Sequence, residues 1–369
     1  MAAVLLVAGG RQTVVTWLGG LGYFALGALA IHAMQAVLPR RGAARRAIVL
    51  VAAGAIFVVV PSIFAGRPGG SLLVVVGWER LLAAYSYCVD SQALRKQPTV
   101  SECLTFLVVN PSVVYSERGT VIRPPGPSWP ALIRLSAGVV LLAFRGALLF
   151  AIRDLPSAWP RSLSVSSYAT FCATQLLLWT SLYASHSGVA SVQIAWMDML
   201  GVRLPERYMW PFLATSPRDF WSRWNIWIAH WASRYVFRPL VRTLDRRMPF
   251  ALAAGAAVLT TFFAVGVLHD FGADALRHWD NVLEPPRLTL SFLAFGVVFL
   301  AWEAAARALR TALRSTLGSR TAGAALAHLV FIQLLCFLTW LVVPVLRYGE
   351  FPLQVEPVVT RGWSALVGR

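Results

Sequence analysis

Apolar residues arrive in long blocks, separated by short connections rich in arginine and proline. Neither the alternation of a half-buried strand nor the narrow stripe of a surface helix dominates. Blocks long enough for a membrane-crossing helix, which needs roughly 20 residues, lie near 13–37, 47–66, 70–89, 131–152, 163–184, 249–271, 288–306 and 324–346. The pattern predicts an all-α, polytopic integral membrane protein with about eight to ten transmembrane helices. Two further segments, 101–117 and 186–233, are apolar but interrupted by Pro, Asn, Arg or Asp. They fit spans, re-entrant pieces or interfacial helices. Neither an internal repeat nor a shift in composition divides the chain, so residues 1–369 read as one membrane domain. The stretch "RPPGPSWP" at 123–130 is then a rigid connection between spans.

Composition sharpens this picture. Hydrophobic residues make up 57% of the chain and charged residues 13%, with a mean hydropathy of +0.64, far from the usage of a soluble domain. The net charge of +17 suggests nucleic acid at first sight, but the arginines sit in connections and beside aromatics. Retention of basic loops on the cytoplasmic side and contacts to anionic lipid headgroups account for them, and no nucleic-acid partner is expected. Arg40, Arg41, Arg45 and Arg46 follow the first block, Arg95 and Lys96 the third, and Arg307, Arg310, Arg314 and Arg320 the seventh. These loops are expected in the cytoplasm, with an extracytoplasmic N-terminus and the chain in the cell membrane. The opening "MAAVLLVAGG" has no basic start and does not read as a cleaved signal peptide. Cys88, Cys103, Cys172 and Cys336 are scattered through apolar blocks and read as small core residues; no metal site is expected.

Two stretches carry candidate chemistry. In "RDFWSRWNIWIAHWASRYVFRPL", residues 218–240, a continuous helix would align Phe220, Trp224, Trp227 and Trp231 at spacings of four, three and four, with Trp221, Asn225 and Ile228 beside them. Arg218, Arg223, Arg234 and Arg238 break any lipid-facing surface, which suits a helix at the membrane interface. In "TFFAVGVLHDFG", His269 closes an apolar block and Asp270 follows it. Ionisable groups at such depth face a cavity, a partner or a reaction; a structural hydrogen-bonding histidine is the other reading. The remaining histidines have plainer explanations. His32, His186 and His328 lie in or beside spans with no motif around them, His278 is in a polar loop, and His230 is five positions past Asn225.

These residues resemble a family. "GVRLPERYMWPFLATSPRDFWSRWN" at 201–225, "YVFRPL" at 235–240 and "GVLHD" at 266–270 look like the signature of the membrane-bound O-acyltransferases. "WERLLAAYSYCVDSQALRKQPTVSECLTFLVVNPSVVYS" at 78–116 is similar to a segment of bacterial polysaccharide O-acetyltransferases with a Ser-Tyr-x-x-Asp pattern. "FGVVFLAWEAAAR" resembles the span after the catalytic histidine, with Glu303 at its acidic position. The motif-bearing core runs from about 75 to 310.

The resemblance implies an enzyme whose spans and re-entrant or interfacial helices surround a central tunnel. It would move an acyl group, acetyl among the candidates, from a thioester such as acyl-coenzyme A to a hydroxyl. His269 and Asn225 stand at the catalytic positions, with Trp221, Trp224 and Arg223 shaping the substrate tunnel. Asp219 and Glu303 read as structural. Arg218, Arg234 and Arg238 are candidates for the phosphates of coenzyme A. The acyl thioester is then a donor substrate, and no permanently bound cofactor is expected. The polysaccharide acetylation systems it resembles often use a second, extracytoplasmic protein, and such a partner is compatible with this reading.

Some residues depart from the polysaccharide-modifying pattern, which has histidine where Asn225 stands and tryptophan where Leu268 precedes His269. Branches that esterify sterols, diacylglycerol or long-chain alcohols favour asparagine there, and "ATSPRDFW" resembles a run in plant wax synthases. A cell-envelope glycan is the favoured acceptor, and a wax-ester or acylglycerol-type lipid alcohol the alternative. A transporter is disfavoured, because repeats and several acidic residues within the spans are missing. A catalytically silent scaffold is disfavoured by the presence of His269.

Overall fold

The computed structural model describes residues 2–38, 43–62, 70–93, 98–117, 120–121, 124–151, 165–270 and 287–313. Within these, helices dominate, with two strand segments of two residues each, Thr120–Val121 and Val202–Arg203. Among the described residues, three helical stretches are long and apolar enough to cross a membrane: Leu18–Gln35, Trp129–Leu148 and Phe250–His269. The expected block at 324–346 lies outside the described residues. The chain separates into two compact units, residues 1–120 with 268–283, and 121–267 with 284–369.

The first unit contains α1 (Ala2–Val37), α2 (Ala43–Gly54), a π-helical turn Ala55–Val59 continuing into α3 (Val60–Ser62), α4 (Gly70–Ala93) and α5 (Val100–Leu104), which also runs on as a π-turn. Phe24, Ile31, Phe57, Tyr87, Phe106 and Leu107 form its core. Gly77 on α4 lies so close to the Phe57 carbonyl that any Cβ would overlap it.

Helix α5 starts at a capping box: the Thr99 hydroxyl accepts from the Glu102 amide while the Glu102 carboxylate accepts from the Thr99 amide. The segment after α5 is held by α4. Buried Arg80 donates to the carbonyls of Phe106 (3.1 Å) and Asn110 (2.5 Å). Ser86 Oγ accepts from the Tyr115 amide and Asp90 Oδ2 from the Ser116 amide. The Ser-Tyr-x-x-Asp pattern thus ties an irregular backbone to a span. That satisfies groups that would otherwise be costly in an apolar setting.

The second unit begins with α6 (Trp129–Ala151) and α7 (Val165–Met199). They approach closely at Gly138 and Gly188, where a Cβ on either would come within about 3 Å of the other's carbonyl oxygen. Backbones can approach this closely only without side chains, and small residues serve this purpose between membrane helices. Arg134 on α6 pairs with Glu206 beyond α7. Leu132, Ile133, Val139, Val140 and Phe144 on α6 are exposed, as expected of a helix whose outer face meets lipid. Helices α8 (Pro217–Arg223), α9 (Ile226–Ala232) and α10 (Arg238–Leu244) follow, with a π-turn at Ser233–Phe237 before α10. The last described helices are α11 (Phe250–His269), whose last two residues belong to the first unit, and α12 (Arg287–Leu313). Gly266 on α11 packs against Thr289 of α12, and Gly296 on α12 against Leu259 and Phe262.

Candidate active site

The aromatic-rich stretch is not one helix. Helix α8 ends at Arg223, Trp224 is extended, and Asn225 is left-handed (φ 42°, ψ 56°) before α9 begins. The expected stripe of Phe220, Trp224, Trp227 and Trp231 is therefore divided between two short helices. Long-range backbone pairing makes the break: the Met209 amide donates to the Arg223 carbonyl, and the Ile226 amide to the Arg207 carbonyl, both at 2.9 Å. These bonds clamp residues 207–209 beside 223–226. Asparagine occupies the left-handed region more readily than most residues. Trp210 is also left-handed (φ 50°), which is costly for a bulky side chain, on the order of 1–3 kcal/mol.

Helix α8 is capped by Ser216, whose hydroxyl accepts from the Asp219 amide, and Pro217 opens its first turn. Asp219 accepts from the Thr215 amide through one oxygen and from Arg223 Nε at 2.6 Å through the other. Arg223 also reaches the Met209 carbonyl at 3.5 Å. Its guanidinium thus links Asp219 on α8 to the loop at Met209. Arg218 is mostly exposed and lies 3.6 Å from Glu303 of α12.

Asn225 has a partner that sequence reasoning missed. Arg207, buried to 8% exposure, donates from Nε to Asn225 Oδ1 at 3.1 Å and from a terminal nitrogen to Gln193 Oε1 at 3.3 Å. Its guanidinium lies 5.0 Å from the Trp227 ring centre, a cation–π distance. Trp227 in turn donates from Nε1 to the Pro205 carbonyl. A guanidinium can only donate, so Oδ1 must face Arg207, and Nδ2 is the atom left to donate elsewhere.

Helix α7 lines this segment with residues seven apart. Trp179 packs on Phe220 (5.4 Å) and Trp224 (4.7 Å), His186 on Tyr208 (6.1 Å) and Trp224 (5.7 Å), and Gln193 meets Arg207. His186 Nδ1 is 2.8 Å from the Leu182 carbonyl. A carbonyl only accepts, so Nδ1 carries the proton and Nε2 is the acceptor atom of the neutral ring. The seven-residue spacing of Trp179, His186 and Gln193 was the available signal for this face. Also on α8, Trp221 packs edge-on against Phe262 of α11 (5.3 Å) and Phe295 of α12 (6.0 Å).

Within the second unit, Arg218, Trp221 and Arg223 lie on α8, and Trp224 and Asn225 form the break that follows it. Arg234 lies in the π-turn, with its guanidinium 5.8 Å from the Tyr235 ring centre, and Arg238 opens α10; both are exposed. His269 is the last residue of α11, partly buried, and Asp270 after it is buried. His269 belongs to the first unit and Asn225 to the second. Among the described residues no cluster of three or more His, Cys, Asp or Glu side chains could hold a metal ion.

Residues 78–276 match the model of the membrane-bound O-acyltransferase family. The chain belongs to this family. The match takes in the α4 segment with Ser86 and Asp90, the Arg207–Asn225 clamp and His269. Membership agrees with the helical, multi-span architecture. Among curated relatives, a probable long-chain-alcohol O-fatty-acyltransferase 7 from Arabidopsis thaliana is 32% identical over 110 residues, 30% of this chain and 32% of that protein. A second Arabidopsis protein, probable long-chain-alcohol O-fatty-acyltransferase 1, is 28% identical over 135 residues, 36% of each chain. A teichoic acid D-alanyltransferase from Streptococcus thermophilus is 24% identical over 91 residues, 24% of this chain and 22% of that protein. The chain thus spans about a third or less of the length of the curated relatives it matches.

Proposed function

We propose that this protein is an O-acyltransferase that moves an acyl group from a thioester, acyl-coenzyme A being the natural donor, to a hydroxyl. The observation that carries this is the fixed orientation of Asn225. Arg207 holds its amide oxygen, so Nδ2–H is the group left to donate to the oxyanion that forms when a hydroxyl attacks a thioester carbonyl. His269 is the general base. Its neutral imidazole takes the hydroxyl proton as the oxygen attacks; collapse of the tetrahedral intermediate expels the thiolate, and the imidazolium returns the proton to it. Ester and free thiol result without an acyl-enzyme.

The acceptor best supported is a long-chain alcohol. The wall around Trp224 is built of Trp179, Phe220 and Tyr208, and the Arabidopsis relatives carry that activity in their names. A cell-envelope glycan is the second reading, favoured by similarity to a teichoic acid D-alanyltransferase. In that case an extracytoplasmic partner protein would complete the transfer. The arginine-rich loops support the reading of a cell-membrane protein with an extracytoplasmic N-terminus.

The test is thiol release by purified protein in lipid from acyl-coenzyme A donors of increasing chain length, with long-chain alcohols or glycans as acceptors. Release should depend on His269 and Asn225, and the acceptor that accelerates it identifies the product class. Full release from His269→Ala would remove this histidine from the mechanism.

A further inference from the structure

Trp179 of α7 is 8% exposed, and its indole Nε1 is buried with no hydrogen-bond partner among the described residues. The fold does satisfy a neighbouring indole, since Trp227 Nε1 donates to the Pro205 carbonyl at 3.2 Å. A buried donor left unmet costs about 1–3 kcal/mol, so each such group calls for a physical reason.

The surroundings narrow what can meet it. Trp179 packs against Phe220 and Trp224, in a cluster that also holds Leu182, Phe212, Ala214, Trp221 and Trp302. These side chains present hydrocarbon and ring faces. A carbonyl oxygen on an apolar body needs only one N–H, and an acyl chain supplies both.

We propose that Trp179 Nε1 donates a hydrogen bond to the carbonyl oxygen of the acyl group, whose first carbons lie against Phe220 and Trp224. Trp179 is thereby a substrate-binding residue contributed by α7, outside the motif that bears Asn225. This rests on the acyltransferase reading above, but not on which thioester is the donor or which alcohol the acceptor.

The experiment uses the full chain in lipid vesicles, with palmitoyl-coenzyme A labelled with carbon-13 at its carbonyl. Trp179 is replaced by phenylalanine and, separately, by benzothienylalanine, which keeps the shape of indole and lacks the N–H. The bound carbonyl stretch is read by infrared difference spectroscopy, and KM and kcat are measured in parallel. Both variants should move the carbonyl band to higher frequency and raise KM about three- to tenfold, with kcat changing less. An unchanged band and KM in the benzothienylalanine protein would overturn the assignment of Trp179 alone. A wild-type protein that binds no acyl thioester would instead overturn the functional reading and, with it, this one.

Discussion

Arg207 and Asn225 are 18 positions apart and meet at 3.1 Å, with the guanidinium donating to the amide oxygen. Their backbones are pinned by the same clamp, since the Arg207 carbonyl accepts from the Ile226 amide. A buried cation is tolerable in an apolar setting because Asn225, Gln193 and the Trp227 face share its charge. The result is an amide whose donor end is aimed by a residue that need not itself touch a substrate.

This pairing predicts strong coupling. Lysine in place of Arg207 keeps the charge and loses the planar fork, so Arg207→Lys should lower acyl transfer about tenfold or more. Combined with Asn225→Ala it should add little, giving a coupling energy on the order of 1–2 kcal/mol in a double-mutant cycle on kcat/KM. Strictly additive losses would mean that Arg207 acts through something other than the Asn225 amide.

The left-handed backbone at Asn225 separates shape from chemistry. Glycine accepts φ 42° at no steric cost, whereas alanine strains it by about 1–2 kcal/mol. Asn225→Gly should therefore melt above Asn225→Ala in detergent, while both lose most of their transfer activity. Equal activity of Asn225→Gly and wild type would show that the site needs only the turn and not the amide.

The long helices were legible because lipid demands long apolar blocks; α4, α6, α7, α11 and α12 fall where hydropathy puts them. The break at Trp224–Asn225 was not. The run "FWSRWNIW" keeps helical spacing across it, and the left-handed turn is imposed by pairing with residues 207–209, which local periodicity cannot report. His269 and Asn225 stood out as residue types, but Arg207 looked like one more basic residue among 33 Lys and Arg. His186 was passed over as a histidine in a generic span. Its place beside Trp224 emerges only when α7 is laid along the loop.

The approach of α6 to α7 rests on two glycines, which sets up a controlled comparison. Gly138→Ala would press a methyl group to 2.9 Å from the Gly188 carbonyl oxygen, while Gly146→Ala on the same helix has nothing within 4 Å. Gly138→Ala should destabilise the protein by about 1–3 kcal/mol, and Gly146→Ala should be neutral or slightly stabilising. Melting temperatures in one detergent would check this. Equal melting of the two variants would mean that the helices adjust their separation freely.

Arg234 and Arg238 are exposed near the start of α10, four residues apart, so a helical path through the π-turn and into α10 leaves both charges on one side of the chain. If they receive the phosphates of coenzyme A, the loss should appear in donor affinity and depend on the nucleotide end of the donor. Arg234→Ala with Arg238→Ala should raise KM for palmitoyl-coenzyme A several-fold at low salt and less at high salt, because exposed charges are screened. A palmitoyl thioester of N-acetylcysteamine has no phosphates, and its KM should be the same in the double variant as in wild type. A matching rise for both donors would instead point to a structural effect of the substitutions, since electrostatic capture cannot act on a donor with nothing to capture.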